Sequence, residues 1–137
     1  MIDRDLFEIA IKDLVVAKYF YGVAIKENTD YSYDATGFYL QQALEKCIKS
    51  ISIGNDMGAT HDIEYLIKKA KEMNIDLSLG DYLIKNAKMI TSWDEETLQD
   101  YHDYKVESDK VKEAFPYVEE YLNIISRKIF SKENNLW

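Results

Sequence analysis

From Asp3 to about Lys26, Leu6, Phe7, Ala10, Leu14, Ala17, Phe20, Tyr21 and Ala24 recur at spacings of three and four, with Glu8, Lys12, Lys18 and Lys26 between them. That period puts the apolar set on one side of a helix, so a long amphipathic helix is predicted. The stretch ENTDYSYDATG then supplies short polar side chains that favour turns, and the pattern resumes as a second helix from about Asp34 to Ile53. GNDMGAT follows, with two of the five glycines, and ends on Thr60, an N-cap candidate for a third helix carrying Ile63, Leu66, Ile67 and Ala70 to about Met73.

After the connector NIDLSLGD, Tyr82, Leu83, Ala87 and Ile90 mark a fourth helix ending near Thr91, and Ser92 with Glu95 form a candidate capping box for a short turn through Leu98. The last helix is expected after Ser108, with Val111, Phe115, Val118, Leu122, Ile125 and Ile129 as its core stripe and Pro116 either kinking it or opening its main segment. The pattern predicts an all-α fold, an up-and-down antiparallel bundle of about five helices in a single domain over residues 1–131, with 132–137 as a frayed tail.

The second helix holds the question of function. At about 100° per residue, Leu40, Ala43, Leu44, Cys47, Ile48 and Ile51 share one arc that must face the bundle, while Phe38, Gln42, Glu45 and Lys49 gather opposite it. A solvated face with a weak Glu45–Lys49 ion pair worth a few tenths of a kcal/mol is the plain expectation. Phe38, an aromatic ring on a polar face, makes that side a candidate contact surface.

Composition narrows the options. Five glycines and one proline in 137 residues are too few for the turns of a β-sandwich or barrel. A formal charge of -8, from 25 acids against 17 bases, opposes indiscriminate binding to a polyanion. Arg127, Lys128 and Lys132 read as positive charge favoured near a helix C-terminus. Cys47, the only cysteine, reads as a small buried hydrophobe in a reducing compartment. The N-terminal run MIDRDLFEIAIKDL resembles neither a secretion signal nor a membrane span, so a cytoplasmic location without membrane attachment is expected. Among the eleven tyrosines, core packing is the expected use of Tyr19, Tyr21, Tyr82 and Tyr121.

Little catalytic chemistry is visible. The doublets His61-Asp62 and His102-Asp103 contain the only two histidines, too few for the metal sites of helical phosphohydrolases. No Gly-rich phosphate loop occurs, and no histidine lies near Cys47 in sequence to activate it. Asp94, Glu95 and Glu96 in WDEETLQD read as complements to a helix dipole rather than as cation ligands. No metal and no cofactor is expected.

GFYLQQALEKCIKS, followed by THDIEYLI, resembles the central signature of HEPN domains. Gln42, Ala43, Glu45, Lys46 and Lys49 fit the family's second-helix pattern, and His61, Asp62, Leu66 and Ile67 fit the opening of its third, with helix order and length agreeing over residues 1–131. The resemblance implies a homodimer, a proposed affinity for nucleotides, and frequent genomic pairing with a minimal nucleotidyltransferase. It also brings in the many HEPN members that act as metal-independent ribonucleases in toxin–antitoxin and phage-defence systems. Those members carry an arginine four to six residues before a histidine, and in one large group a tyrosine two beyond it.

YHDY supplies His102 and Tyr104 in that relation, but the arginine is absent: the allowed gaps reach Thr97, Glu96 and Glu95, and a shifted register reaches Leu98 or Asp100. The only arginines, Arg4 and Arg127, belong to the first and last helices. The phosphate gains negative charge in the transition state, and loss of a fixed cationic fork costs on the order of 100-fold or more in rate. The expectation is a non-catalytic module that dimerises and binds a nucleotide, RNA or a partner protein, with Phe38, Gln42, Glu45, Lys49 and His61 as its candidate binding residues. Two alternatives stand beside it: a degenerate ribonuclease with His102 as general base, Tyr104 orienting and a lysine such as Lys105 on the phosphate, and a purely structural dimerisation bundle.

Overall fold

The computed structural model describes residues 2–52, 60–94 and 106–134, and among these no strand occurs. Among the described residues six helices follow one another: α1 (Arg4–Glu27), α2 (Asp30–Ser50), α3 (Ile63–Glu72), α4 (Asp81–Lys85), α5 (Ala87–Thr91) and α6 (Ser108–Asn134). The all-α bundle expected from the periodicity is present, and its buried residues form one cluster fed by every helix. No helix among the described residues is long and apolar enough to cross a membrane.

Local chemistry sets the boundaries. Asp3 caps α1 by accepting the Leu6 N–H at 3.1 Å. Asn28 ends α1 in the left-handed region (φ 52°), which asparagine tolerates better than most residues, and its N–H bonds the Ala24 carbonyl. Thr29 then caps α2, its hydroxyl accepting from the Ser32 N–H and donating to the Ser32 Oγ at 2.8 Å. Two residues thus suffice to turn α1 into an antiparallel α2, and Asp3 N–H to Ser50 carbonyl, 2.8 Å, ties the far ends together. The short polar residues read as a turn therefore form the first turn of α2, which begins at Asp30 rather than Asp34.

Other boundaries differ from expectation as well. Asp62, not Thr60, caps α3 by accepting from the Tyr65 N–H, while Thr60 Oγ1 accepts from the Asp62 N–H. The fourth helix is two short ones, α4 and α5, divided at Asn86, whose backbone leaves the helical region (φ -108°, ψ 12°) while its amide bonds the Tyr82 carbonyl. Ser92 ends α5 and its hydroxyl donates back to the Met89 carbonyl, so it is a C-terminal residue; Glu95 and Leu98 lie outside the described residues. Pro116 sits inside α6 on its exposed side without ending it, and α6 runs past Lys132 to Asn134.

α2 is the central helix, in contact with α1, α3, α5 and α6. Leu40, Ala43, Leu44, Cys47 and Ile48 are fully buried, as the spacing requires. Much of the other side of α2 is covered too, with Gln41 and Glu45 buried and Gln42 and Lys49 half-buried, because the start of α3 and the turn after α5 close over it. Gly37 makes one such closure possible: a Cβ there would stand 3.3 Å from Trp93 Cγ and 3.4 Å from Val106 Cγ1. Trp93 and Val106 thus meet over a single glycine of α2, and the Val106 N–H donates to Asp34 Oδ1 at 2.8 Å. Of the four tyrosines assigned to the core, Tyr121 is buried and bonds the Leu77 carbonyl at 2.7 Å, and Tyr21 and Tyr82 are half-buried and stacked on Phe115 and Tyr117. Tyr19 instead faces solvent, 68% exposed.

Candidate functional site

α2 presents Gln41, Gln42, Glu45 and Lys49 on successive turns of one side. His61, in the short run before α3, and Asp94, just beyond α5, close over them from two other parts of the chain. Glu45 is the hub, 3% exposed. Its Oε1 accepts from Gln41 Nε2 at 3.0 Å and lies 2.9 Å from His61 Nδ1, while Oε2 accepts from Lys49 Nζ at 3.2 Å. An ionised carboxylate has no proton to give, so Nδ1 of His61 carries the hydrogen and donates.

The network continues outward. Gln42 Nε2 donates to Gln41 Oε1 at 2.6 Å and to Asp94 Oδ2 at 3.2 Å, and Gln41 Nε2 also reaches the His61 carbonyl at 3.1 Å. Asp94 is 5% exposed, and its Oδ2 stands 3.8 Å from His61 Nδ1. Two buried carboxylates therefore face one lysine and one imidazole, and their acceptors are met by side-chain amides. His61 is the member most open to solvent, its side chain 41% exposed, while the Lys49 side chain is 18% exposed.

This arrangement corrects the reading of α2 as a helix with a wet outer face. Gln42, Glu45, Lys49 and His61, named from sequence as candidate binding residues, do come together, but as an interior network between helices. Polarity signalled a buried partner instead of water, because α2 is packed on both sides. Lys46, also in the signature, pairs with Asp13 of α1 at 2.6 Å. Phe38 stands apart from the network: half-buried, it packs edge-on against Tyr39, ring centroids 5.0 Å apart, and Tyr39 stacks on Phe20 of α1.

Two members were missed from sequence. Gln41 is fully buried, and its place four residues before Glu45 was the available signal. Asp94 was assigned to a helix dipole, yet it follows the end of α5 and points at Gln42 and His61. His102 and Tyr104, with Lys105 and Thr97, Glu95 and Glu96, lie outside the described residues. Of the two arginines, Arg127 pairs with Glu120 on the exposed side of α6, and Arg4 lines a groove of about 360 Å³ between α1 and α6 with Phe7, Ile11, Ile129 and Phe130.

Glu45 Oε1, His61 Nδ1 and Asp94 Oδ2 are the described side-chain atoms that could hold a metal ion, a set that the sequence reading did not assemble. Cys47 is unsuited to nucleophilic work: burial pushes its thiol well above the usual thiol range.

A family model described as HEPN domain matches residues 4–129. No curated protein and no solved structure matches the chain.

Proposed function

The chain belongs to the HEPN domain family, and from that premise we propose that it is a non-catalytic member, a module that self-associates and binds a nucleotide or a partner protein. One observation carries the reading: the signature side chains Gln42, Glu45, Lys46, Lys49 and His61 are spent on internal bonds that join α1, α2, α3 and the turn after α5. These bonds hold the fold together, and a macromolecular partner would meet the exposed surface around them. The missing arginine in the motif region removes the cationic fork that RNA cleavage needs.

The surface supports self-association. Along α1, Val15 and Tyr19, four residues apart and so on one face, are 62% and 68% exposed, and Phe130 of α6 is 55% exposed beside the apolar groove that Phe7, Ile11 and Ile129 line. A second copy is the occupant that the family's habit of homodimerisation favours for this apolar side. A partner such as a nucleotidyltransferase-fold protein would meet a chain of net charge -8 and would need a basic face.

Light scattering on the purified chain, nucleotide titration, and a sensitive RNA cleavage assay test the proposal together. A dimer that weakens on Val15→Glu or Tyr19→Glu and shows no cleavage is expected. A strict monomer that binds nothing, or RNA cleavage abolished by His102→Ala, overturns it.

A further inference from the structure

We propose that Glu45, His61 and Asp94 form a binding site for one divalent transition-metal ion of the zinc class. The inference is independent of the reading above, since assays of self-association and RNA cleavage do not report on it.

The donor atoms come from three separate parts of the chain: α2, the run before α3, and the turn after α5. His61 Nδ1 lies 2.9 Å from Glu45 Oε1 and 3.8 Å from Asp94 Oδ2, and all three atoms fall within 4.8 Å of one another. A tetrahedral ion with nitrogen and oxygen ligands at about 2.0–2.1 Å spaces those ligands about 3.3 Å apart. The two separations from His61 straddle that value and the Glu45–Asp94 separation is at most 4.8 Å, so carboxylate shifts of up to about 1.5 Å would seat an ion. One imidazole with two carboxylates suits zinc-class ions, whereas magnesium and calcium prefer all-oxygen shells.

The surroundings fit ligands better than a surface cluster. Glu45 and Asp94 are 3% and 5% exposed, so both carboxylate charges are held in the interior, where a divalent cation compensates them strongly. Lys49 engages Glu45 Oε2, and Oε1 faces the imidazole. Gln41 Nε2 holds Glu45 Oε1 and Gln42 Nε2 holds Asp94 Oδ2, outer hydrogen bonds of the kind that orient metal ligands. The ion replaces the proton that His61 Nδ1 shares with Glu45. Access is through His61, 41% exposed, and three protein ligands leave a fourth position for water.

Calorimetric titration of the full chain with ZnCl2 after chelator treatment, and visible absorption with Co2+, test the site. One ion per chain with tetrahedral Co2+ bands is expected, and His61→Ala and Asp94→Asn should each weaken binding on the order of 100-fold or more, given that outer partners alone are worth about 10–100-fold. Glu64→Gln, at an exposed carboxylate of α3, should leave binding unchanged. No saturable binding, or binding undiminished in both ligand variants, refutes the site. Should a variant lose its helical circular dichroism, the wild-type His61 ring resonances decide: movement on addition of Zn2+ supports the site and no movement refutes it.

Discussion

The Glu45–Lys49 pair separates the two accounts of α2 by magnitude. On a wet helix face, a pair four residues apart couples by about 0.3–0.5 kcal/mol. Here the side chains are 4% and 18% exposed and the contact is 3.2 Å. At an effective dielectric of about 20 the gross attraction is about 5 kcal/mol. Desolvation of both ions offsets much of it, and the remaining exposure of Lys49 lets water share its ammonium. A net coupling of about 1.5–2.5 kcal/mol remains, within the range for hydrogen bonds to charged groups.

The assay is a double-mutant cycle with Glu45→Gln and Lys49→Met, each unfolded by urea in the presence of a chelator so that no ion contributes. Glu45→Gln keeps shape and an oxygen for Gln41 and His61 but sets an amide against the ammonium. It should lose about 2 kcal/mol, near 7 °C in Tm for a chain of this length. A coupling at or below 0.5 kcal/mol would refute the buried network and restore the wet face that spacing alone suggests.

Three further outcomes follow from the packing. Gly37→Val should destabilise by about 2 kcal/mol in urea unfolding, because the Trp93 ring and Val106 leave no room beyond a Cβ, whereas Gly37→Ala should stay within about 1 kcal/mol as helix propensity offsets crowding. Burial, with Glu113 and Tyr117, pushes the Tyr82 phenol up to about 12. A raised phenol pKa stabilises the fold below the unfolded value near 10 and loses that contribution as pH rises to about 12, so Tyr82→Phe should flatten the fall in stability across this window. Cys47 should resist a thiol reagent in the native protein and react fully in urea, since burial holds it as a thiol; rapid native labelling would contradict its place in the core.

The long amphipathic helices were legible because their stripes run over many turns: Leu6 to Ala24 in α1 and Val111 to Ile129 in α6 permit one period only. The break at Asn86 was not, because a side chain bonding its own upstream carbonyl leaves no trace in hydropathy. The candidate site was half legible. Gln42, Glu45, Lys49 and His61 could be named, but a polar residue on the far side of a helix reads as solvated unless a second layer is known to cover it. That layer comes from Asp94, more than fifty residues away from Gln42 in sequence and visible only in three dimensions.

That layer also bears on His102 and Tyr104. The segment that carries them, 95–105, leaves the network at Asp94 and is met again at Val106. Asp94 is held by Gln42, and Val106 by Asp34, eight positions earlier on the same helix and so about 12 Å along its axis. Between these anchors Trp93 and Val106 press on Gly37. Asp94 and Val106, on either side of residues 95–105, are therefore both fixed to α2. Gln42→Ala, which removes the amide that holds Asp94, should lower stability in urea unfolding by about 1–2 kcal/mol, and an unchanged midpoint would refute the part this contact plays in closing the layer over α2.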